Sequence, residues 1–516
     1  MAAPNRLPLA AGIVLAALTV SVTAASAQHP TLWRETLSSR VVTFGPTPFG
    51  SVLVQLTSGL FALDPETGKH LWSRADVTGS PIDVVPGTTV AFVRTARGRV
   101  VLDLESGQDR WKPTTLGFSH IKGGVDLPSR GLVLVYGVTA ESSHTLMAVR
   151  YETGEVLWKQ TTLFAGPDLA PKARRVNYTA YALDTDDTVV LAPTEDGGFM
   201  EGRPSRAGLI RLDLGSGQVL WRIPENALHS GRADWEPPGV TMFADDGRIF
   251  QSYERTLLAV STGEGKVLWT RKEKFPSPIS QLVSTPHGLL VRGATVGPDD
   301  KISGGAYLTL LDPATGATKW TTEKTKFEGR SSFLIEDDTI MIALKKGVAT
   351  YDLSSGRLLT TVRWPEFDGT EDPCCLERFD DGRLLVWSSQ NLRMLDSSDT
   401  LLYSRYFKAP GASFMTKLAA ATVAEVFARI SHSYVENPAV TAKYRATVHA
   451  GRFAYVFTES PGQGPTKFAL VRVDKSTGQE SGRVWLADRT SKYLLEPVTG
   501  VAVVLEDNSL SAVRFP

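Results

Sequence analysis

The sequence predicts an all-β protein, a single β-propeller of about eight to ten four-stranded antiparallel blades. Three observations favour this fold. A short string that ends in Trp recurs along the chain, its copies are spaced at the length of one blade, and short β-rich runs separate them.

The repeated string is clearest in ALDPETGKHLW, which runs from Ala62 to Trp72. In six copies a Gly precedes a Trp by four positions: Gly68/Trp72, Gly107/Trp111, Gly154/Trp158, Gly217/Trp221, Gly265/Trp269 and Gly316/Trp320. Each copy is typical of a β-hairpin, with an apolar strand, a tight turn that needs a Gly with positive φ, and a second strand that carries a large ring.

The spacing of these turns predicts the number of blades. Successive Gly residues are 39 positions apart at the closest, from Gly68 to Gly107, and 63 at the widest, from Gly154 to Gly217. This is the period of a four-stranded blade with insertions of varying length. Weaker copies without the Gly-to-Trp spacing follow at Val348–Arg363, Leu392–Tyr403 and Phe468–Trp485, which brings the complete units to nine.

A tenth blade is expected from the two chain ends. The last residues, from Lys492 onward, supply three strands, whereas Thr31 to Leu37, which contains Trp33, is a strand without a partner. We expect the two ends to pair, which would close the ring and remove the exposed sheet edges that promote aggregation.

Two segments are expected to lie outside the repeat. Met1 to Ala27 has a single Arg6, an apolar run and a small-residue cleavage site, so it predicts a signal peptide and a mature chain of residues 28–516 that is periplasmic or secreted. Ser413 to Ser433 has apolar residues at helical spacing and predicts an inserted amphipathic helix, either packed on the rim or exposed to a partner. No other segment could span a bilayer, so no integral membrane segment is expected after cleavage of the signal peptide.

The composition excludes some classes of function. The chain has 55 Lys and Arg against 55 Asp and Glu, so it lacks the net positive charge of a nucleic-acid binder. It contains no nucleophile elbow, zinc-protease helix motif or phosphate-binding loop, and no C-x-x-C-H haem site.

The string from Ala62 to Trp72 resembles the tryptophan-docking motif of the pyrroloquinoline quinone (PQQ) repeat family. This resemblance implies that each Trp stacks on the Gly turn of the neighbouring blade, a structural role carried here by Trp72, Trp111, Trp158, Trp221, Trp269 and Trp320. The family contains quinoprotein dehydrogenases, which hold PQQ and Ca²⁺ on the propeller axis. It also contains non-enzymatic scaffolds, such as the propeller lipoprotein of the outer-membrane β-barrel assembly machinery.

The two cysteines of the chain, Cys374 and Cys375, favour the dehydrogenases. In many of those enzymes a vicinal cysteine pair forms a disulfide that packs against PQQ, so the resemblance makes the two residues candidate cofactor contacts under that alternative. The pair lies late in this chain, however, and neighbouring residues of an extended strand point to opposite faces. The sequence leaves open whether they are joined.

The resemblance also implies a Glu, an Asn and an Asp around Ca²⁺, and no motif in this chain matches that set. Asp337, Asp338, Asp380 and Asn391 could be chosen as ligands, but Asp pairs before a strand are also ordinary turn chemistry. We therefore assign no metal or catalytic residue.

Long connections between the predicted strands are expected on the face opposite the Gly turns. They are Gly137–His144, Thr161–Asn177, Glu195–Ala207, Ile223–Pro238, Thr295–Gly305, Pro365–Pro373 and Lys408–Thr441. Propellers commonly bind partners through such loops. The candidate contacts for a protein or peptide partner are Lys172, Arg174, Arg175, Met200, Arg203 and Trp235.

The sequence thus favours an exported, non-catalytic propeller that needs no cofactor and binds a protein or peptide through this face. The alternative is a Ca²⁺- and PQQ-dependent dehydrogenase that oxidises an alcohol or sugar. A binder of polysaccharides or small ligands in the axial funnel stays open as a third class.

Overall fold

The computed structural model describes residues 31–515 with gaps between strands, of which the longest are 164–174, 197–204, 224–241, 294–306 and 410–446. The predicted signal peptide at 1–27 and the predicted helix at 413–433 lie outside the described residues, so both stay predictions. The described part of the chain is all-β, apart from two short 3-10 helices at Pro113–Leu116 and Asp368–Thr370.

The described strands form ten antiparallel sheets, numbered here in chain order, which is the count expected from nine complete units and one made of the chain ends. Sheet 1 contains β2 (Val41–Pro46), β3 (Val52–Leu56), β4 (Gly59–Leu63) and β5 (His70–Arg74). Sheet 2 contains β6 (Asp83–Val84), β7 (Val90–Thr95), β8 (Gly98–Asp103) and β9 (Asp109–Trp111). Sheet 3 contains β10 (Phe118–Leu127), β11 (Leu132–Thr139), β12 (Thr145–Arg150) and β13 (Val156–Gln160).

Sheet 4 contains β14 (Arg175–Leu183), β15 (Thr188–Asp196), β16 (Ser205–Arg206), β17 (Leu209–Asp213) and β18 (Val219–Ile223). Sheet 5 contains β19 (Met242–Asp245), β20 (Arg248–Tyr253), β21 (Thr256–Ser261) and β22 (Val267–Thr270). Sheet 6 contains β23 (Ile279–Thr285), β24 (Gly288–Gly293), β25 (Tyr307–Leu311) and β26 (Thr318–Thr321).

Sheet 7 contains β27 (Gly329–Glu336), β28 (Thr339–Leu344), β29 (Gly347–Asp352) and β30 (Leu358–Arg363). Sheet 8 contains β31 (Cys375–Arg378), β32 (Leu384–Trp387), β33 (Asn391–Leu395) and β34 (Leu401–Tyr406). Sheet 9 contains β35 (Thr447–Ala450), β36 (Phe453–Ser460), β37 (Lys467–Asp474) and β38 (Glu480–Leu486). Sheet 10 contains β39 (Lys492–Glu496), β40 (Val501–Glu506), β41 (Ser509–Arg514) and β1 (Thr31–Thr36).

Sheet 10 joins the two ends of the described chain. Strand β1 pairs with β41 in antiparallel register, with Arg34 opposite Ser511 and Thr36 opposite Ser509. The structure therefore contains the expected pairing of the terminal strands. The resulting sheet shares one buried hydrophobic cluster with sheet 9 and another with sheet 1.

Within sheets 1 to 9 the strands follow one another as a meander, so the Gly turn joins the third strand to the fourth. Sheet 4 differs from the expected four strands because the two-residue strand β16 adds to β15. That strand falls inside the predicted insertion Glu195–Ala207, so part of this insertion pairs with the sheet instead of forming a loop.

The core of the molecule lies between the sheets. Middle strands such as β3 and β4 are buried along their whole length, whereas outer strands such as β5 and β30 are largely exposed. A strand between two packed sheets has both faces covered, which is why its sequence is a continuous apolar run rather than an alternating one. Ten buried clusters each join one sheet to the next.

The first strand of each sheet lies towards the centre of the propeller. Strands β10 and β14, β27 and β31, and β2 and β39 contact each other although they belong to neighbouring sheets. Because consecutive strands are antiparallel, the connections from second to third strand and from sheet to sheet leave the face opposite the Gly turns. We call this the insertion face. Within the part of the chain that the structure describes, no helix is long and apolar enough to cross a bilayer.

Candidate functional site

Aromatic side chains connect most neighbouring sheets through the Gly turns. The ring of Trp158, on the outer strand of sheet 3, lies against Gly217 in the turn of sheet 4, and an ideal Cβ on that Gly would be 2.4 Å from the ring. Its indole Nε1 donates a hydrogen bond of 2.7 Å to the carbonyl oxygen of Leu214. The ring therefore requires a Gly both for the positive φ of 70° and for the space that a side chain would fill.

The same contact recurs at the other Trp residues singled out in the sequence. The ring and the Gly that it covers are Trp72 with Gly107, Trp111 with Gly154, Trp221 with Gly265, Trp269 with Gly316, and Trp320 with Gly356. Each indole donates to a carbonyl oxygen three positions before that Gly, at 2.7–3.1 Å. Each Trp thus docks on the following sheet, one blade further along the chain than its own Gly turn.

Two docking residues were missed by the sequence analysis. Trp33, on β1, lies against Gly68 and donates to the carbonyl oxygen of Pro65 at 2.8 Å. Tyr403, on β34, lies against Gly478, and its hydroxyl donates to the carbonyl oxygen of Lys475. A usable signal exists for Tyr403, because Asp396 precedes it by seven positions, one fewer than separate Asp64 from Trp72.

A second contact accompanies several of these rings. The residue two positions after the ring donates to the carbonyl oxygen of the docked Gly: Arg74 to Gly107 at 3.0 Å, Gln160 to Gly217 at 2.7 Å, and Arg405 to Gly478 at 2.9 Å. The preceding sheet therefore contacts each of these Gly turns twice, once with the ring and once with this hydrogen bond.

Aspartates shape these turns from within. In sheet 7 the carboxylate of Asp352 accepts hydrogen bonds from the hydroxyls of Ser355 and Ser354 and from the Ser355 N–H, and these bonds lower its pKa to about 2. Hydroxyl donors also lower the pKa of Asp213, through Ser216, and of Asp312, through Thr315. In these three turns the aspartates are structural anions that hold the turn backbone in place, whereas the corresponding position is Arg150 in sheet 3 and Ser261 in sheet 5.

The chemically distinctive part of the described insertion face is the connection from sheet 7 to sheet 8, Trp364 to Cys375. We call it the strap. It ends in a disulfide between the adjacent residues Cys374 and Cys375. The alternation of side chains along a strand argued against this bond, but β31 begins only at Cys375, so Cys374 precedes the strand and is not bound by its alternation. Cys374 is buried, and its N–H donates to the carbonyl oxygen of Trp387 at 2.9 Å.

The carboxylate of Glu371 anchors the strap to the turn between β32 and β33. It accepts hydrogen bonds from the hydroxyls of Ser388, at 2.5 Å, and Ser389, from the Gln390 N–H at 3.0 Å and from Asn391 Nδ2 at 3.2 Å. All four donor residues are buried. A carboxylate with four donors is well satisfied without a cation.

Arg393 anchors the other end of the strap. Its guanidinium lies 4.7 Å from the centre of the Phe367 ring and 5.3 Å from that of Trp364, and Nη1 donates to the carbonyl oxygen of Pro365 at 2.9 Å. Burial lowers the pKa of Arg393, as expected for a cation removed from water. The strap is thus attached to sheet 8 by a half-buried anion, Glu371, and a buried cation, Arg393.

The hydrogen bonding of Glu371 and Asn391 does not fit the Ca²⁺ ligands that the family resemblance implies. The vicinal disulfide supplies one feature of the family's dehydrogenases, but the carboxylate of Glu371, three positions before Cys374, already accepts four hydrogen bonds, one of them from Asn391. Asp338 and Asp380 lie in turns between first and second strands, at the opposite end of the sheets from Asn391. Among the described residues, no three His, Cys, Asp or Glu side chains are grouped so that they could hold a metal ion.

The candidate partner contacts fall largely outside the described residues. Lys172, Arg174, Met200, Arg203 and Trp235 are all in undescribed segments, and Arg175 begins β14. The structure therefore leaves this part of the predicted surface as a prediction, and the strap is the long connection of the insertion face that it describes in full.

The ten sheets, nine of four strands and one of five, and their aromatic docking define a β-propeller of PQQ-repeat type. The model of the family described as outer membrane protein assembly factor BamB matches residues 7–122 and 205–392, more than half of the chain. The chain belongs to this family.

The chain is also similar to several solved structures that are distant in sequence. BamB from Moraxella catarrhalis is 15% identical with a TM-score of 0.32 over 73% of this chain and 100% of its own. A quinohemoprotein alcohol dehydrogenase from Comamonas testosteroni is 14% identical with a TM-score of 0.33 over 70% and 72%, respectively. Apo AztD from Citrobacter koseri is 14% identical with a TM-score of 0.33 over 68% and 92%. No curated protein sequence matches the chain.

Proposed function

We propose that the chain is an exported, non-catalytic scaffold that binds a protein or peptide partner in the cell envelope through its insertion face. The observation that carries this proposal is the match of more than half of the chain to a family described as an outer-membrane assembly factor. A periplasmic or secreted location belongs to the same proposal, and it agrees with the signal peptide predicted from the sequence.

The chemistry of the strap supports the scaffold over the enzyme. The half-buried carboxylate of Glu371 and the buried amide of Asn391, both on or beside the strap, are hydrogen-bonded to each other and to the turn that they hold. An active site needs polar groups that are free to meet a substrate. Here those groups fasten a connection to the propeller, and so provide a rigid face on which loops can present contacts to a partner.

A cross-linking experiment tests the location of the binding face. A photo-reactive residue replaces the exposed Asp368 on the strap, and the control replaces the exposed Glu105 in the Gly turn of sheet 2. We expect a discrete cross-linked protein, identified by mass spectrometry from envelope fractions, only with the probe at position 368. Equal labelling from both positions, or labelling only from position 105, would contradict the assignment of the face.

The second candidate function is a Ca²⁺- and PQQ-dependent dehydrogenase, which the vicinal disulfide alone favours. Calorimetry of the purified mature chain with PQQ, with and without Ca²⁺, separates the two proposals. We expect no Ca²⁺-dependent binding. Binding at micromolar concentrations or tighter would replace the scaffold proposal with the enzyme and would justify a screen of alcohols and sugars with a dye as electron acceptor.

A further inference from the structure

In the described part of the chain, two of the ten sheet-to-sheet interfaces lack an aromatic side chain docked on a Gly turn. At the interface of sheets 7 and 8 the docking position holds Thr360, opposite a turn in sheet 8 that has Asp399 with a φ of 65° and no Gly. At the interface of sheets 9 and 10 the position holds Gly482, and sheet 10 has the two chain ends where the turn would be. Between sheets 9 and 10 the ring is absent because sheet 10 is built from both ends of the described chain. Its absence between sheets 7 and 8 needs another explanation.

The strap replaces the missing ring between sheets 7 and 8. Its Trp364 and Phe367 are buried in one cluster with Met341 and Ala343 of sheet 7 and with Val386 of sheet 8. An ion pair between Glu336 and Arg378, with oxygen and nitrogen 2.6 Å apart, also crosses this interface. The two sheets are therefore joined by a connection that wedges between them and not by the recurring contact of the fold.

This wedge is less completely bonded than the docked rings. Among the residues that the structure describes, none accepts a hydrogen bond from the buried Nε1 of Trp364, whereas each docked indole donates to a turn carbonyl. A buried donor without an acceptor lowers the stability of the state that buries it. The interface of sheets 7 and 8 thus gains less from its aromatic residue than the docked interfaces do.

The next interface provides a strong contrast. Sheets 8 and 9 are joined by docked Tyr403, by Lys475 Nζ, which contacts both carboxylate oxygens of Glu377 at 2.8 and 3.0 Å, and by Arg383, which donates to the carbonyl oxygen of Ser476 at 2.9 Å. Gln390 of the turn that binds Glu371 also donates to the carbonyl oxygen of Phe457 in sheet 9 at 3.2 Å. Sheet 8 is therefore bound more firmly to sheet 9 than to sheet 7.

We propose that the interface of sheets 7 and 8 is a clasped seam, which opens when the Cys374–Cys375 disulfide at the end of the strap is reduced. The disulfide lies at the point of attachment, because Cys374 donates to the carbonyl oxygen of Trp387 and Cys375 pairs with the same residue, directly before the turn that binds Glu371. Closing adjacent residues into one ring holds both side chains on the same side of the chain. Once the bond is broken, an extended backbone directs them to opposite faces.

The reductant is a dithiol, either a small molecule or a protein. Its thiolate attacks one sulfur of the disulfide, the mixed disulfide is resolved by the second thiol, and the dithiol ends as its own disulfide. Two electrons and two protons pass to Cys374 and Cys375. Neither cysteine belongs to a docking contact, so we expect the effect to be confined to the strap, the Ser388–Asn391 turn and the seam with its flanking strands.

Hydrogen exchange of the full chain, followed by mass spectrometry, tests the proposal. We expect reduction with dithiothreitol to raise the exchange rates of the strap, of β30 and of β31 at least about tenfold, while β21 and β25, which flank a docked interface, keep their rates. The double variant C374S/C375S should exchange like the reduced protein and should not respond to dithiothreitol. Unchanged rates at the seam after complete reduction, confirmed by thiol counting, would overturn the proposal, as would equal acceleration in all sheets.

A second variant tests the clasp without redox chemistry. E371Q replaces a carboxylate that accepts four hydrogen bonds with an amide that cannot accept all of them, and E480Q, in an exposed pair with Arg483, is the matched control. In the oxidised protein we expect E371Q, but not E480Q, to accelerate exchange in the strap and at the seam. Equal exchange in the two variants would refute the clasp. If E371Q does not fold, the comparison of oxidised and reduced native protein still decides.

Discussion

Trp158 and Leu214 are joined by a hydrogen bond of 2.7 Å from the indole nitrogen to the backbone carbonyl oxygen, although 56 positions separate them in the sequence. The bond fixes the ring over Gly217 and thereby attaches sheet 3 to sheet 4. A buried aromatic ring contributes a large apolar area, and its polar atom is satisfied by a carbonyl that the turn would otherwise leave unpaired. The contact therefore stabilises the neighbouring turn as well as the interface.

The first prediction concerns this ring. Trp158→Ala removes a buried side chain and its hydrogen bond, and we expect the free energy of unfolding to fall by about 3–5 kcal/mol. The matched control is Trp485→Ala on the outer strand of sheet 9, where the side chain is 40% exposed and we expect a loss below about 1 kcal/mol. Chemical denaturation of both variants checks the pair, and a loss below about 1 kcal/mol for Trp158→Ala would refute the docking role.

The second prediction separates the two reasons for glycine in the turn. Gly217→Ala should cost the strain of a positive φ plus the displacement of the Trp158 ring, whereas Gly131→Ala, with a φ of 63° and open space around the new Cβ, should cost the strain alone. We expect about 1 kcal/mol for Gly131→Ala and at least about 2 kcal/mol more for Gly217→Ala. Similar losses of stability at the two sites would show that the Trp158 ring moves aside without cost, and would contradict the prediction.

The third prediction concerns the ion pair of Lys475 and Glu377 between sheets 8 and 9. Lys475 is 3% exposed and Glu377 is 35% exposed. Glu377→Gln leaves the buried ammonium without a counter-charge and should destabilise the protein by about 3 kcal/mol. Lys475→Met leaves a carboxylate that water can still reach, so its cost should be clearly smaller. Thermal unfolding of both variants measures which substitution costs more stability, and a larger loss for Lys475→Met would contradict this prediction.

The fourth prediction is a loss of stability in acid. The folded state holds the pKa of Asp352 at about 2, and those of Asp213 and Asp312 are also lowered. The unfolded chain has a value of about 3.9. A lowered folded pKa contributes stability above the unfolded value and loses it as the pH falls through the folded value. We therefore expect the melting temperature to fall between about pH 4 and pH 2.

Replacing the three aspartates by Asn tests the source of this pH dependence. The Asn oxygen still accepts hydrogen bonds within the turn but does not titrate, so the triple variant should melt at a temperature that changes less between about pH 4 and pH 2. Glu105→Gln, at an exposed position in the turn of sheet 2, is the control and should leave the pH profile of the native chain unchanged. An identical slope in the triple variant and the native chain would rule out the turns as the acid-sensitive groups.

The recurring string in the sequence was sufficient to predict much of the fold. Local requirements govern it, because a hairpin turn with positive φ needs Gly at one position and the outer strand presents its ring four positions later. The pairing of Trp33's strand with the C-terminal strands was also predictable, since three strands at one end and one at the other complete a blade. Sequence spacing predicted the docking contacts less well where the docked residue is not a Trp, as at Tyr403. The same holds where the Gly that a ring covers lies in a sheet with no docking Trp of its own, as at Gly356.

The sequence by itself determined the class of fold, a range of about eight to ten blades and the identity of most docking rings, because these depend on residues close together in the chain. Only the tertiary structure decided which turn each ring covers, that Glu371 binds the turn at Ser388–Asn391, and that Cys374 and Cys375 are joined. Those features depend on the approach of segments from different strands and sheets, and on a backbone that leaves strand geometry just before Cys375. Pattern and spacing along one strand carry no information about either.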